Sequence, residues 1–138
     1  MSQSDSGALS AEDIAAIKKP NEVFGSYIVA QDFDSLIQLY TSDVVIMPPN
    51  GPSVHGRDSL RAWFESFPRV THMEVRVDHV DGQGDLAYVI GSYTMTIHPE
   101  GAPGPIEDRG KFIEIRKRQP DGTWPLAADI FNSDLVHE

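Results

Sequence analysis

The stretch from Leu39 to Phe64, LYTSDVVIMPPNGPSVHGRDSLRAWF, constrains the fold of this chain most, because it joins a helix end, a short strand, a Pro/Gly turn and a new helix in that order. Val44–Met47 is apolar and rich in β-branched residues. Pro48 and Pro49 then withdraw two backbone donors, so the strand must leave its sheet there. Asn50-Gly51-Pro52 makes the turn. From about Arg57 a helix follows, with Leu60, Trp63, Phe64 and Phe67 at i, i+3, i+4 and i+7, an apolar stripe that ends before Pro68.

Upstream the pattern is helical. Ser10-Ala-Glu-Asp13 reads as a helix start, with a hydroxyl to cap free N–H groups and acidic residues at the positive dipole end. Ile14, Ile17, Phe24 and Ile28 keep a period near 3.6 as far as about Ala30. Pro20 removes a donor inside this run and predicts a kink or split between Lys19 and Asn21. Asp32 can cap a second helix, Phe33 to Tyr40. Downstream the period falls to two: Met73, Val75 and Val77 alternate with charged residues. Asp81–Gly84 predicts a turn, Leu86–His98 a long strand and Pro99–Pro105 a loop. Lys111–Arg118 and Trp124–Ser133 predict a hairpin around Gln119-Pro-Asp-Gly122. Helices followed by a long antiparallel sheet specify an α+β domain, a curved sheet wrapped around three N-terminal helices. The expected organisation is a disordered tail over residues 1–10 and a single domain over residues 11–138.

Composition narrows function. A chain of 138 residues can bury about two-thirds of its unfolded surface in one core. It has no cysteine, which removes disulfides and thiolate nucleophiles. The net charge of −10 repels phosphate backbones and anionic lipids, so neither nucleic acid nor membrane is an expected partner. Met1–Ser10 lacks a basic residue and an apolar run, unlike a secretory or transit signal, and the expected location is the cytoplasm.

Three fragments, AQDFDSLIQLY, the Leu39–Phe64 stretch and GKFIEIRKRQPDGTWPLAADIFNSD, resemble the nuclear transport factor 2-like superfamily and within it the small SnoaL-like and ketosteroid isomerase-like proteins. The resemblance spans Ile14 to Asp134 and carries fold signatures rather than a catalytic signature. It implies a cone-shaped hydrophobic pocket and a homodimer formed through the sheet. It also implies a choice between a pocket protein and a non-catalytic association module. The steroid isomerase mechanism uses an Asp base with a Tyr and a protonated Asp as oxyanion donors. The matching positions here hold Pro48 and Phe24, which transfer no protons.

Other residues must therefore carry any chemistry. Asp129, inside AADIF, and Glu114, between Ile113 and Ile115, are carboxylates in apolar strands, where burial raises a pKa and makes an acid or base. Alternation groups Phe112, Glu114 and Arg116 on one face, and Asp129 with Phe131 opposite Ile130 and Asn132. His55, after the turn, is a third acid/base candidate. Candidate ligand contacts are Tyr27, Tyr40, Met47, Trp63, Phe67, Tyr93 and Met95 as apolar lining, Arg116 as an anion anchor and Asn132 as a polar contact. The scattered histidines show no metal-ligand spacing, and there is no nucleophile elbow or phosphate loop, so no metal or cofactor is expected. The expected ligand is small and apolar or carbonyl-containing, handled by binding alone or by a cofactor-independent isomerase, cyclase or hydratase.

Overall fold

Ser10 starts the first element as expected: its Oγ accepts from Asp13 N, and Asp13 Oδ2 accepts from Ser10 N, both at 3.0 Å, a complete capping box. The computed structural model describes residues 7–135, so most of the expected N-terminal tail lies outside the described residues. Helix α1 spans Ala11–Ala30 and runs through Pro20 without splitting. The proline has no N–H for the turn before it, and a buried side chain reaches that same turn: Arg116 Nη1 donates to Ile17 O at 2.7 Å. A Cβ on Gly25 would lie 2.6 Å from Met73 O, so glycine there lets α1 lie against the sheet.

Helix α2 is Phe33–Ile37, capped by Asp32 through Ser35 N at 3.2 Å. It is shorter than its apolar spacing predicts, because Tyr40 pairs with Leu126 and belongs to strand β1, Tyr40–Met47. Tertiary pairing overrides helical periodicity at that point. The edge strand β2 (Val54–His55) and helix α3 (Arg57–Ser66) follow. The remaining elements are β3 (Arg69–Gln83), β4 (Leu86–His98), β5 (Ile106–Lys117) and β6 (Leu126–Ser133).

The strands form one sheet in the order β2-β1-β6-β5-β4-β3. All neighbours are antiparallel except β1 with β6, which run parallel because the chain crosses from one side of the sheet to the other before β6 is laid down. Register shifts between Val70 and His72 and between Val77 and His79 bend β3, so the open sheet curves. The architecture is the α+β cone expected. Its concave face and the helices enclose the core, which includes Ile17, Leu36, Val44, Leu60, Val89 and Trp124. Among the described residues no helix is long and apolar enough to cross a membrane.

Candidate functional site

The concave face is not completely filled. A cavity of about 100 Å³, open at its mouth, lies between the sheet, α1 and α3. Phe24 and Ile28 come from α1 and Trp63, Phe64 and Phe67 from α3, while Tyr93, Met95 and Phe131 line it from the sheet. The helical spacing of the α3 aromatics explains this wall: one stripe must turn inward, and it is made of rings. Phe64 lies 5.3 Å from Trp63 and 6.1 Å from Tyr40 between ring centroids, and Tyr93 meets Phe131 edge-on at 6.1 Å.

Polar groups gather at the inner end. Glu114 and Asp129 are directly opposed across β5 and β6 and both line the cavity, with Tyr40 from β1 beside them. Beneath lies Arg116, fully buried, with all its N–H groups engaged. Nε donates to Glu114 Oε1 at 3.0 Å and Nη2 to the same oxygen at 2.5 Å. Nη2 also reaches Asn21 Oδ1 at 2.7 Å, and Nη1 reaches the carbonyls of Ile17 and Trp124 at 2.7 and 3.1 Å. Asn21 in turn donates to both Glu114 oxygens at 3.3 and 3.4 Å. This is a satisfied buried ion pair, the only arrangement in which such a pair is tolerated.

Asp129 stands apart from this network. Its Oδ1 is shielded from solvent and has no hydrogen-bond partner among the described residues. Desolvation, and then the negative charge of Glu114, raise its pKa well above the usual carboxylate value, against a smaller opposing effect of Arg116. The Tyr40 hydroxyl is raised too, first by burial and then by Asp129 and Glu114, so it stays a neutral phenol. Tyr93 is likewise raised by desolvation and by Asp108, to whose Oδ2 it donates at 3.0 Å. The inner end therefore presents neutral donors to an apolar space.

The structure brings Asp129, Glu114, Tyr40, Trp63, Phe67, Tyr93 and Met95 together around one cavity. It does not bring the other candidates there. Arg116 is no anion anchor for a ligand, since its donors are spent inside the protein. Met47 and Asn132 fall outside the lining because strand alternation sends Ile46 and Phe131 inward instead, and Asn132 is exposed opposite Lys111. Tyr27 packs against the core beside the cavity. His55 is exposed on β2 over a shallow depression with Ser53, Ser59 and Ser66. Pro48 does not line the cavity, whereas Phe24 does. Asn21 was missed by sequence reasoning, yet it has a signal: it continues the Ile17, Phe24, Ile28 stripe as that stripe's polar member. Among the described residues no group of three or more His, Asp or Glu side chains could hold a metal ion.

A family model described as the SnoaL-like domain matches residues 23–124. The chain belongs to the SnoaL-like family. No curated protein matches it. Solved structures with the same fold include a ketosteroid isomerase-like protein from Erwinia carotovora atroseptica, 20% identical, with a TM-score of 0.82 over 92% of this chain and 100% of that one. An NTF2-like protein with a cystatin-like fold from Novosphingobium aromaticivorans is 16% identical, with a TM-score of 0.68 over 91% and 84% of the two chains. A protein provisionally called a scytalone dehydratase, from the same organism, is 14% identical, with a TM-score of 0.76 over 91% and 89%. At these identities the likeness of this SnoaL-like chain to them is one of fold.

Proposed function

We propose that this SnoaL-like protein binds a small, flat, apolar ligand carrying a carbonyl group, and that Asp129 is the residue that meets the carbonyl. The observation that carries this reading is the unpartnered Asp129 oxygen on the wall of an otherwise aromatic cavity. A buried polar atom without a partner costs free energy that a ligand hydrogen bond recovers. Where turnover follows, the arrangement supports proton transfer at the carbonyl, in an isomerisation, cyclisation or hydration–dehydration that needs no cofactor. The neighbours described as ketosteroid isomerase-like and as a dehydratase are consistent with that class. Titration with acetylnaphthalene, followed through the fluorescence of the cavity tryptophan Trp63, tests the reading. Asp129→Ala is expected to weaken binding by up to about tenfold, the worth of one net hydrogen bond. Unchanged affinity would sink the assignment of Asp129.

The outer face of the sheet favours a second reading, assembly with a second copy of the chain. Ile130, Ile113 and Ile90 are 48%, 40% and 40% exposed and sit side by side on neighbouring strands, with Met47 next in the same row. A contiguous apolar row that crosses the sheet suits an isologous pair, in which one patch meets itself. Light scattering is expected to report a dimer for the native chain and a monomer for Ile113→Lys, with acetylnaphthalene binding retained. A native chain that stays monomeric at high concentration contradicts this reading and leaves the pocket reading intact.

A further inference from the structure

The inner end of the cavity holds two carboxyl groups and one guanidinium, and the geometry divides them unequally. Glu114 takes two of the Arg116 donors, and Asn21, Ile17 and Trp124 take the others. No Arg116 donor remains for Asp129. The groups facing Asp129 are Glu114 and Arg116 on β5, Tyr40 on β1 and Tyr93 on β4. Helix α1 adds the neutral Asn21, α3 only the aromatic Trp63, Phe64 and Phe67, and β3 the apolar Val70, Met73 and Val75. A second negative charge on Asp129 would lie across the strand pair from Glu114 with no cation free to meet it among the described residues.

We propose that Glu114, by occupying Arg116, is a positioning residue that leaves Asp129 as an uncharged acid, and that the pocket therefore selects flat apolar ligands whose inner end is a neutral hydrogen-bond acceptor, a ketone or quinone carbonyl, over the carboxylate or ammonium of the same skeleton. This rests on the pocket reading above and adds the protonation state and the charge selectivity. The site as a whole, with Glu114 and Arg116 cancelling and Asp129 protonated, is neutral. A carboxylate ligand would bring an unpaired charge into it. An ammonium would be paired only if Asp129 released its proton to solvent, and the cation would give up its hydration to enter.

The direction of the Asp129 shift has a consequence for folding. A carboxyl raised in the folded state contributes stability that is fully present below the ordinary value of 3.8 and is lost as pH rises from there through the raised folded-state value. In Asp129→Asn, which keeps a neutral donor, that loss is absent.

The test uses the full chain with acetylnaphthalene, naphthoate and naphthylmethylammonium as a matched series. At neutral pH the unliganded native protein is expected to show an infrared carboxylic-acid carbonyl band that Asp129→Asn lacks, and to bind the ketone at least about tenfold tighter than either ion, about 1.4 kcal/mol. Asp129→Asn is expected to lose both the fall in affinity and the fall in stability that the native protein shows as pH rises. In Glu114→Gln, Asp129 becomes the carboxylate available to Arg116. The acid band then disappears at neutral pH, and ketone affinity drops about tenfold and returns on acidification, the interval of one hydrogen bond. An acid band that persists in Glu114→Gln overturns the role of Glu114. Tighter binding of naphthylmethylammonium than of the ketone, or no Asp129 acid band in the native protein, overturns the neutral-acid assignment. The native and Asp129→Asn measurements decide that point even where Glu114→Gln fails to fold. These results are distinct from the Asp129→Ala titration, on which the pocket reading itself depends.

Discussion

Arg116→Met is expected to lower the unfolding free energy by about 3–5 kcal/mol, the cost of removing one partner of a buried ion pair. The methionine fills much of the volume, so the loss is electrostatic more than steric. Glu114, 6% exposed, would keep only the weak Asn21 amide contacts at 3.3 and 3.4 Å, and Ile17 and Trp124 would each lose a donor to their carbonyls. Arg61 provides the contrast: it bonds Asp34 at 2.6 Å and Glu65 at 3.2 Å but does so in solvent, so Arg61→Met is expected to change stability little. Urea unfolding of the two variants beside the native chain measures the difference. Equal midpoints would mean that the Arg116 network holds nothing together. Glu114→Gln should cost less than Arg116→Met, because Asp129 stands opposite and can supply the missing charge, whereas no second cation faces the pair among the described residues.

Much of this architecture was legible from residue spacing. The α3 aromatics repeat at a helical period, and the β5 and β6 residues alternate at two, so which side chains share a face follows from geometry alone, while which strand face turns inward does not. Alternation correctly paired Glu114 with Phe112 and Arg116, and Asp129 with Phe131. What spacing could not supply was identity of partner. Arg116 looked like an anion anchor because a lone strand does not reveal that the carbonyls of Ile17 and Trp124 and the side chain of Asn21 converge on it from two other places in the chain, α1 and the segment before β6. The same limit applies to Tyr40. Its spacing continues α2, and only Leu126, 86 positions later, pulls it into β1, where Arg57 holds its carbonyl at 2.5 Å. Long-range pairing decides which side chain meets the ligand, and local periodicity decides only which face it has available.

Phe64→Ala is the second large change expected, a loss of about 3 kcal/mol, the low end of the usual cost for a buried phenylalanine. Phe64 is 7% exposed and sits among Phe24, Tyr40 and Trp63, with ring centroids 6.3, 6.1 and 5.3 Å away. One side of its ring already borders the cavity, so fewer contacts are lost than in a filled core. The vacated space joins the cavity instead of forming a closed void, and an apolar guest can occupy it. Naphthalene, which has no polar group, is therefore expected to raise the thermal midpoint of Phe64→Ala more than that of the native chain, since binding to the folded state alone stabilises it by mass action. Asp129 plays no part in that rescue, so Phe64→Ala/Asp129→Asn should respond to naphthalene as Phe64→Ala does. A loss above about 5 kcal/mol with no response to naphthalene would mean that Phe64 belongs to a closed core. The aromatic wall would then be packing and not a ligand surface, and the carbonyl-binding role of Asp129 would lose the apolar space it requires.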